Sequence, residues 1–144
     1  MKTFATFLRA IAPVFLLVGA LHLVLGLNAD TLLGAKIPPA VIADPGLDSQ
    51  NRFYGTSFAI YGVLLFLCAS NLTKYATVLR CVLWVFFASG LARLVSIVLH
   101  GVPPPLVLLL LLSELIAPPL VLWWFSRILN GSQPRDEPDR SRMT

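Results

Sequence analysis

Four ionisable residues lie in or beside stretches that are otherwise almost entirely apolar: His22, Arg52, Arg93 and Glu114. Arginine binds oxyanions and carbonyl oxygens, while a buried glutamate or a histidine can serve as a general acid or base. Each of these groups is costly in hydrocarbon, so an ionisable residue inside a membrane segment is by default a functional hypothesis. These residue types predict a site that either binds a polar head group or transfers protons.

The elements that must position these residues are four apolar runs, each long enough to cross a hydrocarbon core of about 30 Å. They cover roughly residues 10–27, 53–70, 76–99 and 105–126. None alternates as a strand of a membrane barrel would, so helices are predicted. The composition agrees, because 57% of the 144 residues are hydrophobic, 12% are charged and the mean hydropathy is +0.81. We predict an all-α membrane protein whose residues 1–129 form an antiparallel, left-handed bundle of four transmembrane helices.

The net charge of +4 is distributed as in a membrane protein, and it forms no stripe that would bind nucleic acid. One end of the predicted bundle, together with a polar tail at 130–144, holds eight of the cations: Lys2, Arg9, Lys74, Arg80, Arg127, Arg135, Arg140 and Arg142. The other end holds only Lys36 and Arg52. By the positive-inside rule both termini are cytoplasmic, and we predict that the tail is disordered. A cleaved signal peptide is disfavoured, because the first run is long and contains His22.

Polar residues gather in the outer half of this bundle. From the helical rise, His22 lies roughly 8 Å, Arg93 roughly 9 Å and Glu114 roughly 14 Å below the outer surface. Arg93, Ser96 and His100 share one face of the third helix, and a tight turn leads from there to the fourth. We therefore expect Arg93 and Glu114 to form an ion pair. The predicted ligand-binding residues are Arg93, Glu114, Arg52, Asn51, His22, Ser96 and His100.

Prolines and glycines add two further expectations. Pro118 and Pro119 cannot donate to the carbonyls of Glu114 and the residue after it, so we expect a kinked fourth helix with a polar pocket at the bend. One face of the second helix carries small residues at the spacing that permits close helix packing: Gly55, Ala59 and Gly62. Such a face lets two backbones approach or leaves room for a ligand, and the spacing is compatible with both.

Each polar residue also has a purely structural interpretation. The Arg93–Glu114 pair would then fix the register of two helices, and His22 would be a core histidine bonded to a neighbouring helix. Asn51 and Arg52 would be a helix N-cap followed by a cation that extends to the interface. A polar group confined to one half of the bundle nevertheless exceeds what packing requires, which favours an outward-facing pocket.

Other chemistries find little support. Cys68 and Cys81 lie near the predicted cytoplasmic ends of their helices and are interpreted as packing residues, since that compartment is reducing. His22, His100 and Glu114 lie on three helices without an i,i+4 pair, so no metal site is predicted. The sequence contains no phosphate-binding loop, nucleophile elbow or dinucleotide fingerprint, and we predict no cofactor.

Three segments carry a resemblance to a known family: NRF at 51–53, GLARL at 90–94 and ELIAPP at 114–119. Over about residues 10–127 the chain resembles a domain-of-unknown-function family of bacterial four-helix membrane proteins, distantly similar to the DoxX-like proteins. The resemblance implies a four-helix fold in the bacterial inner membrane and no agreed activity. The residues that match recurring polar positions of that family are Asn51, Arg52, Arg93 and Glu114. Some DoxX-like relatives are associated with respiratory or thiol-redox complexes, but no cysteine or haem motif here supports that role.

The predicted function is that of a non-enzymatic binding or accessory protein whose outward-facing polar pocket holds a lipid-like or quinone-like molecule. Arg93 and Arg52 would bind an anionic or carbonyl head, Glu114 would hold Arg93, and His22 would supply a hydrogen bond. One alternative is a membrane enzyme that uses Glu114 or His22 as a general acid or base, and another is a small proton-coupled transporter. The expected partners are membrane lipids and a small hydrophobic ligand, with a homodimer or a larger membrane complex left open.

Overall fold

The computed structural model describes residues 1–131, which are helical apart from short connections and contain no strand. Four long helices make up the molecule: α1 (Lys2–Leu25), α4 (Pro45–Ser70), α5 (Ala76–His100) and α6 (Pro105–Gly131). Two short helices, α2 (Asn28–Leu32) and α3 (Pro39–Ile42), lie in the connection between α1 and α4. All four long helices have the length and hydropathy needed to span a membrane, which confirms the predicted all-α, four-span architecture.

The helices extend beyond the apolar runs that mark them in the sequence. α1 begins at Lys2, and α4 begins at Pro45, two turns before the run at 53–70. The start of α4 is well defined, because the Asp44 side chain accepts a hydrogen bond of 2.8 Å from the Leu47 backbone N–H and proline occupies the first helical position. α6 continues to Gly131, and the remainder of the predicted disordered tail lies outside the described residues.

Glycines bring the helices together in two closely packed pairs. A Cβ added to Gly19 of α1 would lie 2.6 Å from the Gly55 carbonyl oxygen of α4, and Gly62 approaches α1 almost as closely. In the second pair, a Cβ on Gly90 of α5 would lie 3.0 Å from the Cβ of Glu114 in α6. The small-residue face of α4 therefore serves backbone contact with α1 and does not leave room for a ligand.

Aromatic side chains connect the two pairs. Phe4 of α1 packs between two rings of α6, with centroids 4.8 Å from Trp124 and 5.3 Å from Phe125. Nearer the middle of the bundle, Phe15 of α1 contacts Phe86 of α5 at 5.3 Å. These contacts place the start of α1 against the end of α6, so that successive long helices run antiparallel around the bundle.

Glycines also end α1 and α5 at what the sequence predicts to be the outer end. Gly26 and Gly101 have φ values of +55° and +91°, a region that residues with a Cβ rarely adopt. A side chain at Gly26 would in addition collide with the Asp48 carboxylate of α4. The close turn at Gly26 thus brings the end of α1 against the first turns of α4, where several of the predicted site residues lie.

Candidate functional site

The polar residues of the outer end form two separate groups. The first, which we call the junction cluster, lies where α1 ends and α4 begins and consists of His22, Asp30, Asp48, Asn51 and Arg52. The second is the ion pair between Arg93 of α5 and Glu114 of α6. No hydrogen bond or ion pair within residues 1–131 joins the two groups, so the predicted residues do not converge on one site.

The expected ion pair is present. The Nε–H of Arg93 donates to Oε2 of Glu114 at 2.7 Å. The Glu114 side chain is 1% exposed, whereas that of Arg93 is 33% exposed. The two terminal nitrogens of Arg93 form no hydrogen bond with any of the described residues. The carboxylate therefore holds the guanidinium by one edge and leaves the other edge free to donate.

The surroundings of Glu114 combine the proline pair with a tyrosine. α6 remains helical through Pro118 and Pro119. The hydrogen bond of Arg93 goes to the Glu114 carboxylate and not to a backbone carbonyl that the prolines leave without a donor. Tyr61 of α4 lines a small cavity together with Pro118, which lies one helical turn from Glu114 on α6. The sequence-based prediction omitted Tyr61, although a phenol inside an apolar helix signals a polar group that needs a partner.

Arg52 in the junction cluster donates four hydrogen bonds to the protein. Its Nε donates to Oδ2 of Asp48 at 2.7 Å, and its Nη1 donates to the backbone carbonyls of Leu23 and Val24 at the end of α1. These carbonyls lack partners within their own helix, and they carry the negative end of its dipole. Arg52 therefore fastens α1 to α4. The interpretation of Asn51 as an N-cap is wrong, because α4 begins earlier and Asp44 caps it.

His22 is held on both sides of its ring. Nδ1 lies 2.9 Å from the Val18 carbonyl oxygen, and Nε2 lies 3.5 Å from Oδ1 of Asp30. The Asn51 amide donates to the other oxygen of Asp30, while the buried Oδ1 of Asn51 has no partner. Each ring nitrogen thus faces an oxygen atom of the protein. In this arrangement neither ring nitrogen is free to act as a base on a substrate.

The structure adds two residues to the predicted polar groups and leaves two predicted residues outside them. Asp30 and Asp48 were not predicted, because their segment looks like a loop rich in turn residues. The i,i+4 spacing of Asp48 and Arg52 becomes a signal only once α4 is known to begin at Pro45. Ser96 and His100 are exposed, and no hydrogen bond or ion pair within residues 1–131 joins them to either group.

Two cavities lie outside both polar groups and are lined almost entirely by apolar atoms. The larger is a groove of about 370 Å³ between α4 and α5, with Thr77 at its inner end and Ser57 and Val85 at its outer end. The smaller, of about 70 Å³, lies inside the bundle beside Pro118. Tyr61 lines both, whereas none of the predicted ligand-binding residues lines either. The polar pocket predicted at the bend of α6 is thus not one of these cavities.

The thiols and potential metal ligands are dispersed. Both cysteines are free: Cys68 is buried, with its Sγ 3.9 Å from the Tyr75 carbonyl oxygen, and Cys81 is exposed on the wall of the groove. Within residues 1–131 no three His, Cys, Asp or Glu side chains are grouped as metal ligands.

Comparison with known proteins gives one result that bears on these residues. No curated protein and no solved structure matches the chain. A family of proteins does match residues 4–125, a range that includes most of each of the four long helices and both polar groups. The resemblance inferred from the polar segments is thereby confirmed at the level of the family: the chain belongs to the family Domain of unknown function (DUF4345).

Proposed function

We propose that this multi-pass membrane protein binds an amphiphile, a lipid-like or quinone-like molecule whose oxyanion or carbonyl head is held by Arg93 in the outer half of the bundle. The observation that carries the proposal is the one-edged contact of Arg93 with a fully buried Glu114. The contact fixes the position of the guanidinium, while the N–H groups of its two terminal nitrogens remain available to a ligand.

The chemistry of arginine makes this arrangement suitable for a head group. A guanidinium presents a planar fork that matches carboxylate, phosphate or carbonyl oxygens. Hydrogen bonds to such oxygens are stronger where water is scarce than at an aqueous surface. Glu114 balances the charge of Arg93, so the empty site does not place an isolated cation in hydrocarbon.

The other predicted ligands have supporting roles in this proposal. Arg52 and His22 already have protein partners for their polar atoms, so we assign them to the junction between α1 and α4. An enzyme would need Glu114 as its acid or base, and a transporter would need flux driven by a proton gradient. Glu114→Gln separates these alternatives, because the isosteric amide ends acid–base turnover but only weakens binding.

The proposal is tested by mass spectrometry of small molecules that copurify with the protein in mild detergent. The wild type should retain a specific amphiphile, Glu114→Gln should retain less of it, and Arg93→Ala should lose it. Arg52→Lys is the matched control, an arginine at the same end whose donors are already used, and it should retain the molecule. If all folded variants carry the same bulk lipid, Arg93 and Glu114 form a structural pair and the proposal fails.

The membrane orientation belongs to the same proposal, with both termini in the cytoplasm of a bacterial cell and the DoxX-like proteins as distant relatives. It is supported by the exposed cations at the end of the bundle where α1 begins and α6 ends: Lys2, Arg9, Lys74, Arg80 and Arg127. A membrane-impermeant thiol reagent should label Lys36→Cys from outside the cell and leave Lys74→Cys unlabelled, each in a Cys81→Ser background. The opposite pattern would reverse the orientation. A homodimer or a larger complex stays a prediction.

A further inference from the structure

The contact between α4 and α5 differs from the α1–α4 and α5–α6 contacts. α1 packs on α4 through glycines that let the two backbones touch, and Gly90 of α5 lets side chains of α6 pack against the α5 backbone. Between α4 and α5 no described glycine makes such an approach, and the two helices separate into the apolar groove of about 370 Å³. That volume falls in the range of small-molecule sites, about 300–1,000 Å³. Glycines thus close the α1–α4 and α5–α6 contacts and not the one between α4 and α5.

The groove has a defined direction relative to the ion pair. Cys68 lies near Tyr75 at the inner turn, and the rings of Tyr61 and Phe86 are 6.0 Å apart nearer the middle, so α4 and α5 run antiparallel with the groove between them. On α5 the groove extends from Thr77 to Val85, which corresponds to roughly 12 Å of helical rise. Its outer end therefore points towards the part of α5 that carries Arg93.

Along the axis of α5, the guanidinium lies beyond that outer end. Glu114 is level with Gly90, because a Cβ on Gly90 would contact the Cβ of Glu114. Side chains on a helix lean towards its N-terminus, so Arg93 reaches back along α5 to this level. Gly90 is five residues, or roughly 7.5 Å of rise, from Val85. Tyr61 links the two features, since it lines the groove and also the smaller cavity beside Pro118, which lies one helical turn from Glu114 on α6.

From this juxtaposition we infer that the α4–α5 groove binds the hydrocarbon chain of an anionic amphiphile whose phosphate or carboxylate head is held by Arg93. The inference rests on the proposed function, and it adds where the hydrocarbon chain of the ligand binds and that the head group of the ligand is negatively charged. A cationic head beside an apolar groove selects molecules that carry both an oxyanion and a chain. Inorganic phosphate would lack the apolar contacts, and a neutral alcohol would lack the charge.

Cys81 offers a direct probe, because its exposed thiol lies on the groove wall while Cys68 is buried. The protein is placed in nanodiscs of zwitterionic lipid, and alkylation of Cys81 by a maleimide is followed with added dodecyl phosphate, dodecanol or inorganic phosphate. Dodecyl phosphate should slow the alkylation severalfold, and the other two compounds should not. Equal protection by dodecanol or by inorganic phosphate would overturn the inference.

Substitutions test separately whether the chain binds in the groove and whether the head group binds at Arg93. Val85→Trp should fill the outer part of the groove and weaken binding of dodecyl phosphate about tenfold, or about 1.4 kcal/mol. Val98→Trp, at a position 84% exposed on α5, is the control and should bind as the wild type does. The double variant Arg93→Gln with Glu114→Gln, which leaves no unpaired buried charge, should abolish binding.

Each pattern of results has one meaning. Binding that depends on Arg93 but neither protects Cys81 nor responds to Val85→Trp would overturn the groove and leave the proposed function standing. Binding that persists in the double variant, or no binding of dodecyl phosphate at all, would overturn both.

Discussion

The strongest test of the ion pair is the difference in stability between its two single variants. Arg93→Ala leaves the Glu114 carboxylate, 1% exposed, without a counter-charge. Breaking a buried pair in this way costs about 3–5 kcal/mol. Glu114→Gln leaves a guanidinium that is one-third exposed and still bonded to an amide oxygen, so the loss should be only about 1 kcal/mol, the difference between a charge-assisted and an ordinary hydrogen bond.

The double variant Arg93→Ala with Glu114→Gln completes the cycle. It removes the stranded charge, so it should be more stable than Arg93→Ala alone. The free energies of unfolding can be compared in mixed micelles with rising sodium dodecyl sulfate, using tryptophan fluorescence as the signal. Equal losses in the two single variants, or a double variant whose loss is the sum of both, would refute the reasoning, because additive effects indicate groups that do not interact.

Three further expectations follow from contacts elsewhere in the bundle. Gly19→Ala should cost about 1–3 kcal/mol, because its Cβ would lie 2.6 Å from a backbone oxygen of α4, whereas Gly131→Ala, with nothing within 4 Å, should be neutral in the same unfolding assay. Asp30→Ala should release α2 and raise hydrogen exchange in the α1–α4 connection without changing that of the long helices; unchanged exchange would show that the Asp30 contacts do not hold α2. In native protein Cys81 should react with a maleimide and Cys68 should not, as peptide mass spectrometry would show, and comparable labelling of both thiols would contradict the described burial.

Much of the fold follows from the sequence because hydrocarbon permits so few backbone arrangements. Apolar runs of sufficient length must be helices there, and the structure has all four. The starts of the helices were harder to predict, since hydropathy identifies the segment that can lie in hydrocarbon and not the residues at which helical hydrogen bonding begins or ends. Asp44 and Pro45 illustrate the difficulty: the same pair is typical of a turn and of a helix start, and only the structure shows that it begins α4.

The two polar groups differ in how far the sequence could predict them. Arg93 and Glu114 face each other across a short turn, so their depths along two antiparallel helices were enough to pair them. The junction cluster depends on the path of a long connection. Asp30 reaches Asn51 only because α2 packs against the end of α1, and no local pattern encodes that contact between residues 21 apart.

Exposure alone does not separate a structural arginine from one that is available to a ligand. The Arg52 side chain is 40% exposed and that of Arg93 is 33% exposed, yet Arg52 donates four hydrogen bonds to the protein and Arg93 donates one. An anionic head at Arg52 would have to displace Asp48 and two helix-terminal carbonyls, each of which would then lose its partner. At Arg93 the same head would add hydrogen bonds without breaking any. The unequal use of these two guanidinium groups, both at one end of one small bundle, is the physical reason to look for a ligand at the second and not at the first.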